Sequence, residues 1–79
     1  MPRFYFDYYS GGEFAVDETG TELSDATEAQ AQALAAAGEW MKDKTAHGAA
    51  AELSLSVRDG SPGPLFVVTA CVTVSRGTE

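Results

Sequence analysis

The chain has almost none of the residues that give small proteins covalent or metal-based stability. It contains one cysteine, Cys71, and one histidine, His47, in 79 residues. A single cysteine excludes an intrachain disulfide, and the two residues together are too few for a zinc site. Because a domain of this size buries only part of its unfolded surface, its stability must come from a modest apolar core or from association with another chain.

Basic residues are also scarce, with five Lys and Arg against twelve Asp and Glu, which gives a net charge of −7. The five are scattered along the chain and form no stripe. A negative chain repels phosphate backbones, so we expect no nucleic-acid partner bound through a basic patch. We interpret the acidity as an aid to solubility, with a specific basic partner as the alternative.

Long apolar segments are absent as well. No run approaches the roughly 20 residues needed to span a bilayer, so we expect no membrane partner. The N-terminus has no apolar leader, and there are no paired cysteines. Together these features predict a cytoplasmic setting.

Aromatic and alternating segments predict four strands. The first, Arg3 to Tyr9, places Phe4, Phe6 and Tyr8 on one face and Arg3, Tyr5, Asp7 and Tyr9 on the other. The glycine pair at 11–12 predicts a hairpin turn into a short second strand over 13–16. Two further strands are predicted over Glu52–Asp59 and Leu65–Val74, on either side of a loop rich in proline and glycine.

An alanine-rich, proline-free segment predicts one long helix from Ala26 to about Ala46, with Ser24 or Asp25 as N-cap and Gly48 as the stop. Its apolar residues recur at spacings of three and four. The predicted buried face consists of Ala26, Ala29, Ala33, Leu34, Ala37, Trp40 and Met41.

These elements predict a single α+β domain over residues 1–79, of β-β-α-β-β order, with 75–79 as a flexible tail. The expected architecture is a four-stranded antiparallel sheet with the helix on one face. We prefer the strand order 2-1-3-4. The order 2-1-4-3, with a parallel central pair, is the alternative.

The residues that could bind a metal or act in catalysis do not match the spacing of a known site. The acidic residues Asp17, Glu18, Glu22, Asp25 and Glu28 lack the spacing of an EF-hand, so they predict a polar turn and a stabilised helix N-terminus. His47 has no nucleophile or orienting carboxylate in a known pattern, and Cys71 is predicted to be an inert packing residue on a strand. The sequence therefore predicts no catalytic, cofactor-binding or metal-binding residue, and a protein that is not an enzyme.

The sheet face opposite the helix is the predicted working surface. It is expected to carry Tyr5, Tyr9, Leu65 and Val67, and contiguous apolar surface of this kind is typical of contact sites. The last strand is also predicted as a poorly protected sheet edge. We predict a non-enzymatic interaction or regulatory module that acts through this face or this strand, as a homodimer or with a protein partner. A monomer with a semi-polar open face, and a small-molecule binder or enzyme, are the alternatives.

Three sequence motifs resemble those of a family of short, uncharacterised proteins of rhizobia and related alphaproteobacteria. The chain opens M-P-R-F-Y-F, continues to Asp17-Glu18-Thr19-Gly20-Thr21-Glu22-Leu23, and has Val57-Arg58-Asp59-Gly60 near its end. The proline- and glycine-rich loop and the valine-rich last strand depart from the family pattern. The resemblance implies a bacterial origin and no particular activity.

A second resemblance, to the HicB-type antitoxins, lies in the segment Asp25-Ala26-Thr27-Glu28-Ala29, which follows a short strand pair and an acidic turn. It implies an antitoxin-type binding protein as a further alternative.

Overall fold

The protein contains one helix and five strands in the computed structural model, which describes residues 1–75 and 77. The predicted tail at 75–79 lies largely outside these described residues. The elements are β1 (Arg3–Ser10), β2 (Glu13–Ala15), β3 (Thr21–Glu22), α1 (Ala26–Thr45), β4 (Ala51–Arg58) and β5 (Phe66–Val72).

The strands form one antiparallel sheet in the order β2-β1-β4-β5, with β3 paired to the start of β1. This confirms the predicted α+β class and the preferred strand order. The two-residue strand β3, which pairs with Arg3 and Phe4, was not predicted. A two-residue strand has no alternation of its own, so its signal is lost in the turn that precedes it.

The core lies between the helix and one face of the sheet. Leu53, Leu55 and Val57 of β4 are fully buried, and Phe4 of β1 is nearly so. The helix packs over β4 and β5. Phe6 and Tyr8 of β1 are therefore only half-buried at the margin of the helix.

The helix begins as its sequence predicts. The N-cap is Asp25, whose carboxylate accepts a hydrogen bond from the Glu28 N–H at 2.9 Å. The Glu28 carboxylate in turn accepts from the Ser24 N–H at 2.7 Å. Both predicted capping residues thus take part, because the Glu28 side chain returns one residue further than in a standard capping box. The helix ends at Thr45, and Gly48 takes the left-handed φ of +79° shortly afterwards.

The buried face of α1 is narrower than predicted. Ala29, Ala33, Ala37 and Met41 are buried, whereas Leu34 is 54% exposed. Ala26 is also exposed, and Trp40 is half-buried. The prediction for Leu34 and Ala26 is wrong because the inward line follows successive steps of four, and Leu34 lies about 100° round the helix from Ala33. The helix is not long and apolar enough to cross a membrane, in the described part of the chain.

Candidate protein-contact surface

The sheet face opposite the helix has a polar centre. In cross-strand register, Tyr5 of β1 lies opposite Arg58, Asp7 opposite Ser56, and Tyr9 opposite Ser54. On the other side of β4, Ser56 lies opposite Val67 of β5. The predicted surface residues are therefore divided between the two sides of this face.

Tyr9, Leu65 and Val67 are exposed, while Tyr5 is half-buried. Tyr9 packs near Phe14 of β2, with ring centroids 6.3 Å apart. At the other side of the sheet, Leu65 lies just before β5 and Val67 lies within it. The structure thus brings Leu65 and Val67 together and separates them from Tyr9.

An ion pair occupies the polar centre. The Arg58 Nε donates to the Asp7 carboxylate at 2.8 Å, with side chains 33% and 10% exposed. The same guanidinium lies over the Tyr5 ring, 4.5 Å from its centroid, and donates through Nη2 to the Asp17 carbonyl at 2.9 Å. The hydrogen bond that Arg58 donates to the Asp7 carboxylate raises the pKa of Arg58 above its already high usual value. This arrangement accounts for a carboxylate that is nearly buried on a sheet face with no helix over it.

Asp17 connects this ion pair to the edge of the sheet. Its N–H donates to the Asp7 carboxylate at 2.9 Å, and its own carboxylate accepts from the Phe6 N–H at 3.1 Å. It also accepts from the backbone N–H groups of Gly20, at 2.9 Å, and Thr19, at 3.1 Å. The Gly20 N–H, and then those of Phe6 and Thr19, hold the pKa of Asp17 below its usual 3.8.

Arg3 holds the C-terminal part of the turn, residues 19–22, against the start of β1. It donates to the Thr19 carbonyl and to the Glu22 carboxylate, each at 2.9 Å. Gly20 has a φ of +78°, and a Cβ there would lie 2.7 Å from the Arg3 Cγ. The three motifs of the sequence resemblance therefore meet in one hydrogen-bonded network around Asp17. Sequence reasoning missed this network because Arg3, Asp17 and Arg58 are far apart along the chain.

The acidic stretch has separate structural roles, as its interpretation as a polar turn and helix start predicts. Asp17 organises the turn, Glu22 pairs with Arg3, and Asp25 with Glu28 caps the helix. The Ser24 N–H and hydroxyl lower the pKa of Glu28. Within residues 1–75 and 77, no three His, Cys, Asp or Glu side chains are grouped so that they could hold a metal ion.

The remaining candidate residues are solvent-facing. His47 is exposed just beyond the helix, where its backbone N–H donates to the Lys44 carbonyl at 3.3 Å. Cys71 is exposed on β5. The prediction that Cys71 is a packing residue is wrong, because it points to the sheet face that the helix does not cover.

A groove runs between the helix and the β1–β2 side of the sheet. Its volume is about 430 Å³, and it is lined by Phe6, Tyr8, Ala15, Val16, Asp17, Thr21, Gln32 and Ala36. It exists because the helix lies over β4 and β5 and leaves this side of the sheet uncovered. The groove is open, and only one ionisable carboxylate, that of Asp17, lines it.

The two edges of the sheet differ sharply. The first, here called the broken edge, consists of β2, residues 16–20 and β3. Between two paired positions, the five residues of β1 from Phe4 to Tyr8 lie opposite a segment of seven residues, from Ala15 to Thr21. Pairing is therefore interrupted in the middle of this edge. Glu13 and Glu22 add charge along it, and Arg3 of β1 pairs with Glu22.

The second, here called the β5 edge, is the outward side of Phe66–Val72. Its sequence, F-V-V-T-A-C-V, has no charged residue and no proline. Seven consecutive residues pair with β4 without interruption. In the part of the chain that the structure describes, β5 has no strand on its other side.

Comparison with known proteins identifies a family and nothing more specific. No curated protein and no solved structure matches the chain. The family model for the domain of unknown function DUF6894 matches residues 3–71, from the first residue of β1 to the next-to-last residue of β5. That range includes Arg3, Asp17 and Arg58, so the network around Asp17 and the β5 edge both lie within the matched domain, and the chain belongs to the DUF6894 family.

Proposed function

We propose that the protein is a non-enzymatic interaction module that binds a β-strand of a protein partner at the β5 edge. The observation that carries the proposal is the contrast between the two edges of one sheet. Unpaired strand edges are ready templates for another strand, and natural proteins protect them with charge, proline, interruption or cover. The broken edge has two of these protections, charge and interruption, and the β5 edge has neither.

The chemistry of the β5 edge supports strand addition. An added strand gains main-chain hydrogen bonds, while side chains at alternate positions supply specificity. Val67 and Val72 are 51% and 42% exposed, and Leu65 just before the strand is 45% exposed. A partner strand would cover apolar surface on both faces of the sheet at this side.

The charge distribution supports the same location. The chain carries a net charge of −7, yet none of that charge lies on β5. A charge-depleted centre is the usual composition of a protein interface. The polar centre of the open face, by contrast, is occupied by Asp7 and Arg58, which already satisfy one another.

The proposal includes the setting. The resemblance of the N-terminal motifs to alphaproteobacterial proteins supports a bacterial origin. The lone cysteine, which cannot form an intrachain disulfide, supports the cytoplasm. We found no nucleophile–base pair and no cofactor motif in the sequence, which favours a binding protein over an enzyme.

Site-specific photo-crosslinking in a bacterial host tests the proposal. A photo-reactive amino acid replaces Thr69, in the middle of β5, and in a second variant it replaces Glu13 of β2. Both positions are exposed, so neither variant disturbs the core. We expect one dominant protein adduct from position 69 and little or none from position 13.

An adduct from position 69 supports the proposal whether its mass shows another protein or a second copy of this chain. The absence of an adduct at position 69, or an equal yield at position 13, would contradict it.

A further inference from the structure

We propose that the strand bound at the β5 edge is the β5 strand of a second copy of this chain, and that the two helices meet beside it through Leu34 and Gly38. This inference rests on the proposed function, because it names the partner of the same edge. The resulting dimer has a two-fold axis perpendicular to the sheet, with β5 antiparallel to the partner's β5 and the two helices on the same face.

The helix presents an uncharged flank toward the β5 edge. Gln32 and Ala36 line the groove beside β1 and β2, so that flank of α1 faces away from β5. The helical repeat places Glu28, Glu39 and Asp43 on the same flank as Gln32. The opposite flank, toward the β5 edge, carries Thr27, Gln30, Leu34 and Gly38, all of them exposed. The acidic residues of the helix therefore lie away from the side where a second copy would approach.

The spacing of the elements allows both contacts at once. The helix packs to the same extent over β4 and β5. Its axis is therefore placed about midway between these two strands, about half a strand spacing inside β5. In a sheet continued through two β5 strands, the two helices are then separated by about two strand spacings, or about 10 Å. Helices pack at about 8–10 Å, so main-chain pairing at the edge brings the helices into contact without further adjustment.

The level of the two-fold axis coincides with Leu34 and Gly38. Val68, near the middle of β5, packs against both core clusters, one containing Ala33 and the other containing Ala37. An axis through the middle of β5 thus passes beside residues 33–37 of the helix. In an antiparallel helix pair centred there, Leu34 of one copy lies opposite Gly38 of the other.

This arrangement gives Gly38 a role that the single chain lacks. Glycine is unfavourable inside a helix. A Cβ at this position would meet nothing within 4 Å, and its backbone has no positive φ. Nothing in the single chain therefore requires glycine here. The space beside it is where the exposed Leu34 side chain of a second copy fits.

Sedimentation analysis of the purified 79-residue chain over a concentration series tests the inference. We expect the wild type to sediment at twice its 8.3 kDa mass at high concentration. Leu34→Glu and Gly38→Gln should each weaken the dimer about tenfold or more, because they place an unpaired carboxylate or a bulky side chain in the helix contact. The matched controls, Gln32→Glu on the opposite flank and Ala35→Gln on the solvent side, should leave it within about threefold of the wild type.

Gly38→Gln also separates association from folding. At concentrations where the wild type is monomeric, thermal unfolding of this variant should be no lower than that of the wild type, because glutamine is the better helix former. A weaker dimer formed by an equally stable monomer is a result that a folding defect cannot produce.

A wild type that stays monomeric throughout the series, or Leu34→Glu and Gly38→Gln variants that dimerise as well as their controls, would overturn the inference. If the wild type is monomeric and position 69 still crosslinks to a different protein, the second copy is excluded while strand binding at β5 stands. If position 69 gives no adduct, the proposed function itself fails.

Discussion

The broken edge and the β5 edge belong to one sheet, but the first is interrupted and charged while the second is continuous and uncharged. At the broken edge the chain leaves its strand at residue 16, folds a polar turn onto β1, and returns for two residues at β3. Charged side chains and the partly buried ion pair between Asp7 and Arg58 hold that turn in place. At the other side, β5 runs for seven uncharged residues, and no strand pairs with its outer side in the described structure.

The contrast shows that this sheet is protected against pairing with another strand at the broken edge and is not protected at the β5 edge. The ion pair between Asp7 and Arg58 has a desolvation cost that a pair of apolar residues would avoid. That cost is understandable where it fixes a turn that blocks further pairing. The absence of any such device on β5 is the reason for assigning the working surface there.

Among the substitutions at the broken edge, replacing Arg58 should lower the stability of the protein most. Arg58→Ala leaves the Asp7 carboxylate buried without its cation and releases the Asp17 carbonyl, so we expect a loss in the free energy of unfolding greater than that of Asp17→Ala. Arg58→Lys keeps the charge but cannot donate in the same two directions, and should lose less. Urea unfolding at one fixed protein concentration measures both. Equal stability of Arg58→Ala and the wild type would show that the ion pair does not support the broken edge.

Asp17→Ala should have the next largest effect, about 2 kcal/mol, because it leaves the Phe6 N–H and the turn without their acceptor. The pKa of Asp17 is depressed in the folded protein, so its contribution is present above its unfolded pKa and is lost as the pH falls through the lower folded value. The wild type should therefore lose stability below about pH 4, and Asp17→Asn should lose less over the same range. Unfolding curves measured across this range provide the check. Parallel acid profiles for the two proteins would contradict the assignment.

Gly20→Ala should have the smallest effect on the stability of the broken edge. Both Gly20 and Gly12 have positive φ, at +78° and +88°, but only at Gly20 would a Cβ meet other atoms, those of Arg3 and Tyr5. We expect Gly20→Ala to cost about 1 kcal/mol more than Gly12→Ala, since the backbone strain is common to both. The difference in unfolding free energy isolates the close packing of the turn. Identical losses would mean that the turn is loosely packed.

Much of the fold could be predicted because its signals are local. The alternation of Leu53, Leu55 and Val57 with polar residues predicts β4 and its buried face, and both are confirmed. The capping residues and the alanine repeat predict α1 to within a residue at either end. The strand order follows from pairing rules that favour an antiparallel sheet.

The parts that could not be predicted depend on long-range contacts or on element placement. Asp7 alternates with aromatics, so its burial arises only when Arg58 and the Asp17 turn close over it. Leu34 sits at helical spacing from buried residues, yet it is exposed because the helix lies to one side of the sheet's centre. The same displacement opens the groove beside β1 and brings the helix close to the β5 edge.

Residue-resolved hydrogen exchange at low and high protein concentration distinguishes the two edges of the sheet amide by amide. If β5 is the working edge and a second copy fills it, amides at alternate residues of Phe66–Val72 should exchange more slowly as concentration rises, while those of β2 and β3 stay unchanged. Unchanged exchange along β5, or slowing along β2 and β3 to the same degree, would contradict the assignment of the β5 edge as the contact surface between copies.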